Sequence, residues 1–311
     1  MDYTHFILGA VFIFIGSNLL IDNSKLIAIS LGISPFVIGL TIVAFGTSLP
    51  ELIVSIMASL NGESDIVLGN VLGSNIANIA LVLSVIAIWK TINFRYSDLK
   101  DSLVYIIISS AMLIVIIVSN NLSLIPGLVL LALFCIYIYS QFRIVKYNNS
   151  LEKNKDIPFS IKYISYLFMG IFLLGWGSNL FINGAIGVAT SLGVPLIVIS
   201  LSIVALGTSI PELVTSLIAM KKNESSLVIG NILGSNIINI VLVLGSSIMI
   251  NPINVYNSDL SIMYNTKISL IFMFIVTILL LSIILFRKDI NRLFGLILFL
   301  IYVIFIYSNF I

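Results

Sequence analysis

Gly46-Thr47-Ser48-Leu49-Pro50-Glu51-Leu52 sets a carboxylate and a proline inside an apolar run, and the pattern returns as Gly207-Thr208-Ser209-Ile210-Pro211-Glu212-Leu213. At the same offset, Gly69-Asn70-Val71-Leu72-Gly73-Ser74-Asn75-Ile76 returns as Gly230-Asn231-Ile232-Leu233-Gly234-Ser235-Asn236-Ile237, and Asn78 as Asn239. Gly16-Ser17-Asn18-Leu19 likewise returns as Gly177-Ser178-Asn179-Leu180. Register is kept without an insertion, which marks a duplication.

The 311 residues around these motifs are 59% hydrophobic and 9% charged, against about 25% charged in a soluble domain. With about 20 apolar residues needed per membrane crossing, the apolar runs predict ten spans. They lie near 5–22, 36–60, 66–89, 102–119, 124–143, 163–183, 196–220, 227–250, 268–286 and 292–309. Asn61-Gly62, Pro126-Gly127 and Asn251-Pro252 mark turns between them. The fold expected is an all-α integral membrane protein of ten transmembrane helices in two inverted five-helix repeats. Residues 1–145 form the first repeat, 146–162 a cytoplasmic linker and 163–311 the second repeat. An odd number of spans per repeat turns the second copy upside down, and inverted repeats with a midplane site are a transporter architecture.

Orientation follows from the basic residues in short loops. With the N-terminus outside, Lys25, Lys90, Arg95, Lys100, Arg143, Lys146, Lys153, Lys155, Lys162, Lys221, Lys222, Arg287, Lys288 and Arg292 fall inside, and of the 15 Lys and Arg only Lys267 falls outside. Both termini are therefore expected outside the cell membrane.

Composition also excludes functions. Cys135 is the sole cysteine and His5 the sole histidine, so Cys- or His-built metal centres and Ser-His or Cys-His catalysis are not expected. There is no Gly-Lys dipeptide and hence no Walker-type phosphate loop. A net charge of +2 gives no reason to expect nucleic acid. The expected chain is not an enzyme, has no cofactor and no evident obligatory protein partner, and is surrounded by membrane lipid.

Of the 13 acidic residues, only Glu51 and Glu212 lie deep in apolar segments, and no Lys or Arg lies deep enough to pair with them. A carboxylate at mid-bilayer costs at least about 2.5–3.5 kcal/mol. Protonation or a bond to a neighbouring helix would offset that cost; so would a cation held between the two. Helical spacing sets Ser48 and Ser55 on the face of Glu51, and Ser209 and Ser216 on the face of Glu212. Asn70, Ser74 and Asn78 follow one another at spacings of four, as do Asn231, Ser235 and Asn239. These are oxygen ligands of the kind hard cations prefer, although Ser and Asn also bond membrane helices together. Pro50 and Pro211 lack an N–H and clash with the carbonyl four residues back. Carbonyls near Gly46 and Gly207 thereby lose partners, and the backbone oxygens of Ala44, Thr47, Ala205 and Thr208 become candidate ligands. Gly69 with Gly73, and Gly230 with Gly234, read as close-packing pairs.

The doubled Gly-Thr-Ser-x-Pro-Glu and Gly-Asn-x-x-Gly-Ser-Asn motifs resemble the alpha repeats of the sodium/calcium exchangers, within the calcium/cation antiporter superfamily, in their compact prokaryotic form. The resemblance implies that spans two, three, seven and eight form the ion-binding core and that spans one and six slide across it. It implies calcium and sodium as the transported ions, with Glu51 and Glu212 as central calcium ligands that also serve sodium. Thr47 and Thr208 would give backbone oxygens to calcium, and Ala44 and Ala205 theirs to sodium. Ser48, Ser74, Ser209 and Ser235 would line the sodium sites, and Asn78 and Asn239 would complete the cluster. Some relatives carry aspartate where this chain has Asn239, so the resemblance leaves exchange intact but not potassium coupling. Calcium/proton antiport remains a sibling alternative and a cation channel an alternative of another class.

The charge-derived topology has a direct check. Cysteines introduced into 146–162 are expected to react with impermeant thiol reagents from the cytoplasmic side only, and cysteines in 61–65 from the outside only; reversal of both overturns the orientation.

Overall fold

The computed structural model describes residues 2–94, 96–118, 122–148, 158–193, 205–253, 260–287 and 289–308. Residues 196–204 of the expected seventh span and 149–157 of the expected linker lie outside that set. The described chain is almost entirely helical. Its elements are α1 (Asp2–Leu31), α2 (Pro35–Thr47), α3 (Leu49–Asn61), α4 (Ser64–Trp89), β1 (Ile92–Asn93), α5 (Tyr96–Val118) and α6 (Leu124–Asn148), followed by α7 (Ile161–Ser191), α8 (Ala205–Thr208), α9 (Ile210–Lys221), α10 (Ser225–Ile250), α11 (Leu260–Phe286), β2 (Asp289–Ile290) and α12 (Arg292–Ser308). Among the described residues six helices are long and apolar enough to cross a membrane, and the bent pair α2–α3 makes a seventh.

Two helices outrun their expected ends. The polar cluster Asp22-Asn23-Ser24-Lys25 predicts a stop for the first span, but α1 continues to Leu31. The cluster is satisfied in place: Asp22 pairs with Lys222 and Lys25 with Glu224, each at 2.6 Å, and Asn23 Nδ2 donates to the Leu19 carbonyl. The helix stops at Gly32, whose φ of 65° lets Ile33 N–H turn back to the Ala28 carbonyl. The sixth span similarly runs from Ile161, behind the N-cap Ser160, to Ser191. The Asn61-Gly62 turn is present, with Gly62 at φ 78° and Glu63 N–H bonded to the Ala58 carbonyl. Pro126-Gly127, by contrast, lies in the first turn of α6, where proline's missing N–H costs nothing.

Packing divides the chain into two compact units that interleave the repeats: residues 1–50 with 138–234, and residues 51–137 with 235–311. In the first unit, α1 and α7 run antiparallel along a seam of glycines. A Cβ on Gly16 would sit 2.8 Å from the Gly170 carbonyl, and one on Gly177 would sit 2.8 Å from Ile13 N and 3.1 Å from the Gly9 carbonyl. Gly184 meets Phe6 backbone in the same way. Ser17 and Thr215 share a buried hydrogen bond of 2.9 Å that ties α1 to α9. Of the two expected glycine pairs, Gly230 and Gly234 pack closely on α2, at Phe36 to Leu40 and at Leu40 to Ala44, whereas a Cβ on Gly69 or Gly73 would meet no described atom within 4 Å.

In the second unit, Gly295 of α12 rests on the α4 backbone at Ser84 and Ile88. Ser59 Oγ donates to the Ser247 carbonyl at 2.6 Å. Two short extended pairings depart from the all-α expectation. Strand β1 pairs antiparallel with β2, Ile92 opposite Ile290 and Asn93 opposite Asp289, and Leu122 bridges Ile253. Both pair backbone at buried residues of helix connections, Ile92 with Ile290 and Leu122 with Ile253, where unbonded N–H and C=O groups would be costly.

The glycine seam is testable in isolation. Gly177→Ala forces a Cβ against backbone that cannot swing aside and is expected to lower stability in detergent by about 1–3 kcal/mol. Gly175→Ala, where a Cβ meets no described atom within 4 Å, is expected to leave stability unchanged or raise it by up to about 1 kcal/mol through helix propensity. Thermal melts followed by circular dichroism distinguish the two.

Candidate functional site

The helix carrying each glutamate begins at a break. Ser48, between α2 and α3, has φ −83° and ψ 6°, and Ser209, ahead of α9, has φ −88° and ψ 2°. Each lies two residues before its proline, Pro50 or Pro211, and so follows from the proline's missing N–H and its clash with the preceding turn.

In the first unit the break gathers Thr47, Ser48, Thr208, Ser209, Glu212, Ser216 and Asn231, all buried. Ser48 Oγ donates to Glu212 Oε1 at 3.4 Å. Thr47 Oγ1 donates to Asn231 Oδ1 at 3.1 Å and to the Ala44 carbonyl at 3.3 Å, while Asn231 Nδ2 donates to Ser216 Oγ at 3.2 Å. The Ala44 carbonyl also accepts from Ser48 N–H at 3.0 Å, so this candidate ligand already has two donors. Ala205 opens the short helix α8. Glu212 is 0% exposed, and neither its Oε2 nor Ser209 Oγ has a hydrogen-bond partner among the described residues.

In the second unit Glu51, 1% exposed, sits in the first turn of α3. Its carbonyl accepts from Asn70 Nδ2 at 2.9 Å, and the same amide donates to Ser55 Oγ at 2.8 Å. Ser74 Oγ donates to Asn70 Oδ1 at 3.4 Å. Asn78 Nδ2 donates to Asn236 Oδ1 at 3.0 Å, and Asn236 Nδ2 to the Asn75 carbonyl at 3.3 Å. Asn78 Oδ1 and both polar atoms of the Asn239 side chain have no partner among the described residues, although both side chains are fully buried. Ser235 is buried beside them in the chain.

These bonds sort the polar stripes. Asn70 with Ser55 and Asn231 with Ser216 are repeat-equivalent pairs, and each joins the glutamate helix to the next. Those four side chains act as helix-to-helix bonds. The atoms left over are oxygens of Glu212, Ser209 and Asn78, and the whole amide of Asn239. A buried polar atom without a partner costs about 1–3 kcal/mol, and in a native protein it calls for a ligand, water or ion to explain it. Ser24 and Ser178 Oγ, on α1 and α7, share that state. Among the described residues no three His, Cys, Asp or Glu side chains cluster as a resident metal centre would require. The chemistry is that of neutral oxygens with one carboxylate in each unit, suited to a hard cation that comes and goes.

Sequence reasoning missed two features. Asn75 and Asn236 belong to the quoted Gly-Ser-Asn motif, and their recurrence in both repeats was the available signal. The second is backbone: Gly39–Val43, Asn78–Leu83 and Asn239–Leu244 are π-helical turns, two of them beginning at the repeat-equivalent asparagines. Such wide turns occur frequently at functional sites and have no sequence signature of their own.

Comparison with known proteins agrees with this chemistry. Residues 2–143 and 162–311 match the family described as sodium/calcium exchanger protein. The sodium/calcium exchanger MaX1 of Methanosarcina acetivorans is 31% identical, with 98% of this chain and 97% of that protein covered. An uncharacterized membrane protein of Methanocaldococcus jannaschii is 37% identical over 80% of this chain and 82% of its own length. A solved structure of the sodium-calcium exchanger NCX_Mj, soaked with sodium and strontium, superimposes with a TM-score of 0.84 at 33% identity, covering 99% of this chain and 98% of the other. Buried carboxylates in duplicated proline-broken helices, and a match over nearly the whole length, place this multi-pass membrane chain in the sodium/calcium exchanger family, as a cation/calcium antiporter.

Proposed function

We propose that the protein exchanges sodium for calcium by alternating access, with Glu51 and Glu212 as the central ligands of one ion-binding site. The observation that carries this reading is that, among the described residues, Glu51 and Glu212 are the only buried charged side chains; no Lys or Arg is buried with them. Two buried carboxylates match the charge of one calcium ion. Thr47, Thr208, Ala44 and Ala205 would add backbone oxygens, Ser48, Ser74, Ser209 and Ser235 would line the sodium positions, and Asn78 and Asn239 would close the cluster.

The architecture proposed for that exchange is ten spans in two inverted repeats, with both termini outside. Its support is a pattern of paired positions. Ile92 and Ile253 occupy equivalent positions in the two repeats; Ile92 pairs with Ile290, between α11 and α12, and Ile253 with Leu122, between α5 and α6. The connection after the third span of each repeat thus meets the connection between the last two spans of the other. Each pairing also joins loops that the charge rule puts on one side, as do the Lys25–Glu224 and Lys222–Asp22 ion pairs. The shorter apolar helices Ser102–Val118 and Arg292–Ser308, with the segment that ends in α9, fit the remaining spans.

Calcium uptake into sodium-loaded proteoliposomes tests the function. Glu51→Gln and Glu212→Gln are each expected to reduce sodium-driven uptake by at least about 10–100-fold while the helical fold persists, because each halves the charge available to a divalent ion in a low-dielectric site. Normal exchange in both variants would refute the central assignment, and uptake driven by a proton gradient without sodium would select the proton-coupled alternative.

Transport is further expected to be electrogenic and independent of potassium. With Asn78 and Asn239 neutral, the proposed core holds two acids and no third. One calcium neutralises it, whereas the three sodium ions implied by the family leave one positive charge in excess. One net charge per cycle couples transport to voltage by about 2.3 kcal/mol per 100 mV. A potassium-ionophore clamp should alter flux through voltage alone; an absolute potassium requirement at fixed voltage would overturn this.

A further inference from the structure

Asn78 and Asn239 are repeat equivalents, each fully buried and each the first residue of a π turn, yet their amides are held differently. An asparagine binds a cation through Oδ1 only; the donor end, Nδ2, in the same place opposes it. What decides the matter is the bond made by the other end. The Asn75 carbonyl can only accept, so the Asn236 atom 3.3 Å from it is Nδ2. That turns Asn236 Oδ1 toward Asn78, and an oxygen there can only accept, so Asn78 presents Nδ2 to it at 3.0 Å. Asn78 Oδ1 is then the end left without a partner among the described residues. The order starts at a backbone carbonyl, which has no rotamer to change. Asn239 has no such order, since neither end of its amide has a described partner.

We propose that Asn236 is a positioning residue that locks Asn78 with its oxygen toward the transported cation, making Asn78 the fixed amide ligand. The inference rests on the proposed exchange function, in which Asn78 is a ligand, and adds to it the residue that aims that ligand. Residues that orient a metal ligand commonly matter by about 10–100-fold in affinity, and the chain Asn78, Asn236, Asn75 carbonyl has that form.

The test is calcium titration by calorimetry onto the purified full-length chain in detergent, with circular dichroism to confirm folding. Asn78→Ala and Asn236→Leu are each expected to weaken calcium binding by about 10–100-fold. In the Asn78→Asp background either carboxylate oxygen can face the ion, so adding Asn236→Leu should change affinity by no more than about 2-fold, the non-additivity expected of coupled neighbours. An equal loss in both backgrounds would mean that Asn236 only holds helices together, and would overturn the proposal. So would parental affinity in Asn236→Leu when Asn78→Ala is weakened, a result that leaves the exchange reading intact. A parent that binds no calcium, or Asn78→Ala binding as the parent does, overturns the ligand reading and the positioning role with it. Where leucine prevents folding, Asn236→Ala serves in the same comparison.

Discussion

A carboxylate inside a bilayer has to be compensated by something within reach, and this chain carries two with no buried basic residue beside them among the described residues. Much of the local structure serves that constraint. The prolines interrupt the glutamate helices where hydroxyls and carbonyls are wanted, and Ser48 reaches Glu212 from such a break. Asn70 and Asn231 fasten each glutamate helix to its successor, so the acids sit on a framework whose own hydrogen bonds are already made. Oxygens of Glu212, Ser209 and Asn78 remain unmatched by described protein groups. On the proposed exchange function a cation would satisfy those oxygens, and its binding would draw on a burial cost already met during folding.

The duplication, the glutamates and the prolines are legible in the sequence because each interrupts an apolar run in a way that membrane burial makes expensive. Helix ends are less legible. Asp22 and Lys25 read as a stop, but their partners Lys222 and Glu224 lie in the other repeat, and a pairing between residues so distant in the chain leaves no local trace. The polar stripe Asn70, Ser74, Asn78 reads at a constant spacing of four. The π turn beginning at Asn78 lies outside that reading, and the hydrogen bonds divide the stripe: Asn70 bonds to Ser55 and Asn78 to Asn236. Asn75 and Asn236 are visible as letters of a motif, yet their role depends on which amide end meets a carbonyl, and that is a fact of three dimensions.

Duplication has not kept the halves chemically equal. Ser17 bonds to Thr215, whereas its equivalent Ser178 has no described partner, and position 54, the equivalent of Thr215, is valine. The Asn78 amide bonds to Asn236, whereas the Asn239 amide has no partner among the described residues. A transporter that runs between two access states has no need for those states to be equal in energy, and differences of single hydrogen bonds, each about 0.5–1.5 kcal/mol net, are large enough to set their ratio.

The glycine seam has a consequence for the lipid around the protein. Helices α1 and α7 are 30 and 31 residues long, about 45 Å at 1.5 Å per residue, against a hydrocarbon thickness of about 30 Å. With backbone pressed on backbone at Gly9, Gly16, Gly170 and Gly177, neither helix can adjust alone, so the pair meets the membrane as one double rod. The polar end of α1 from Asp22 onward lies beyond its apolar stretch. Any mismatch between that stretch and the bilayer is taken up by tilt or by local change of thickness, at a fraction of a kcal/mol per ångström. Bilayer thickness would thereby load the pair as one unit, along the two longest helices among the described residues.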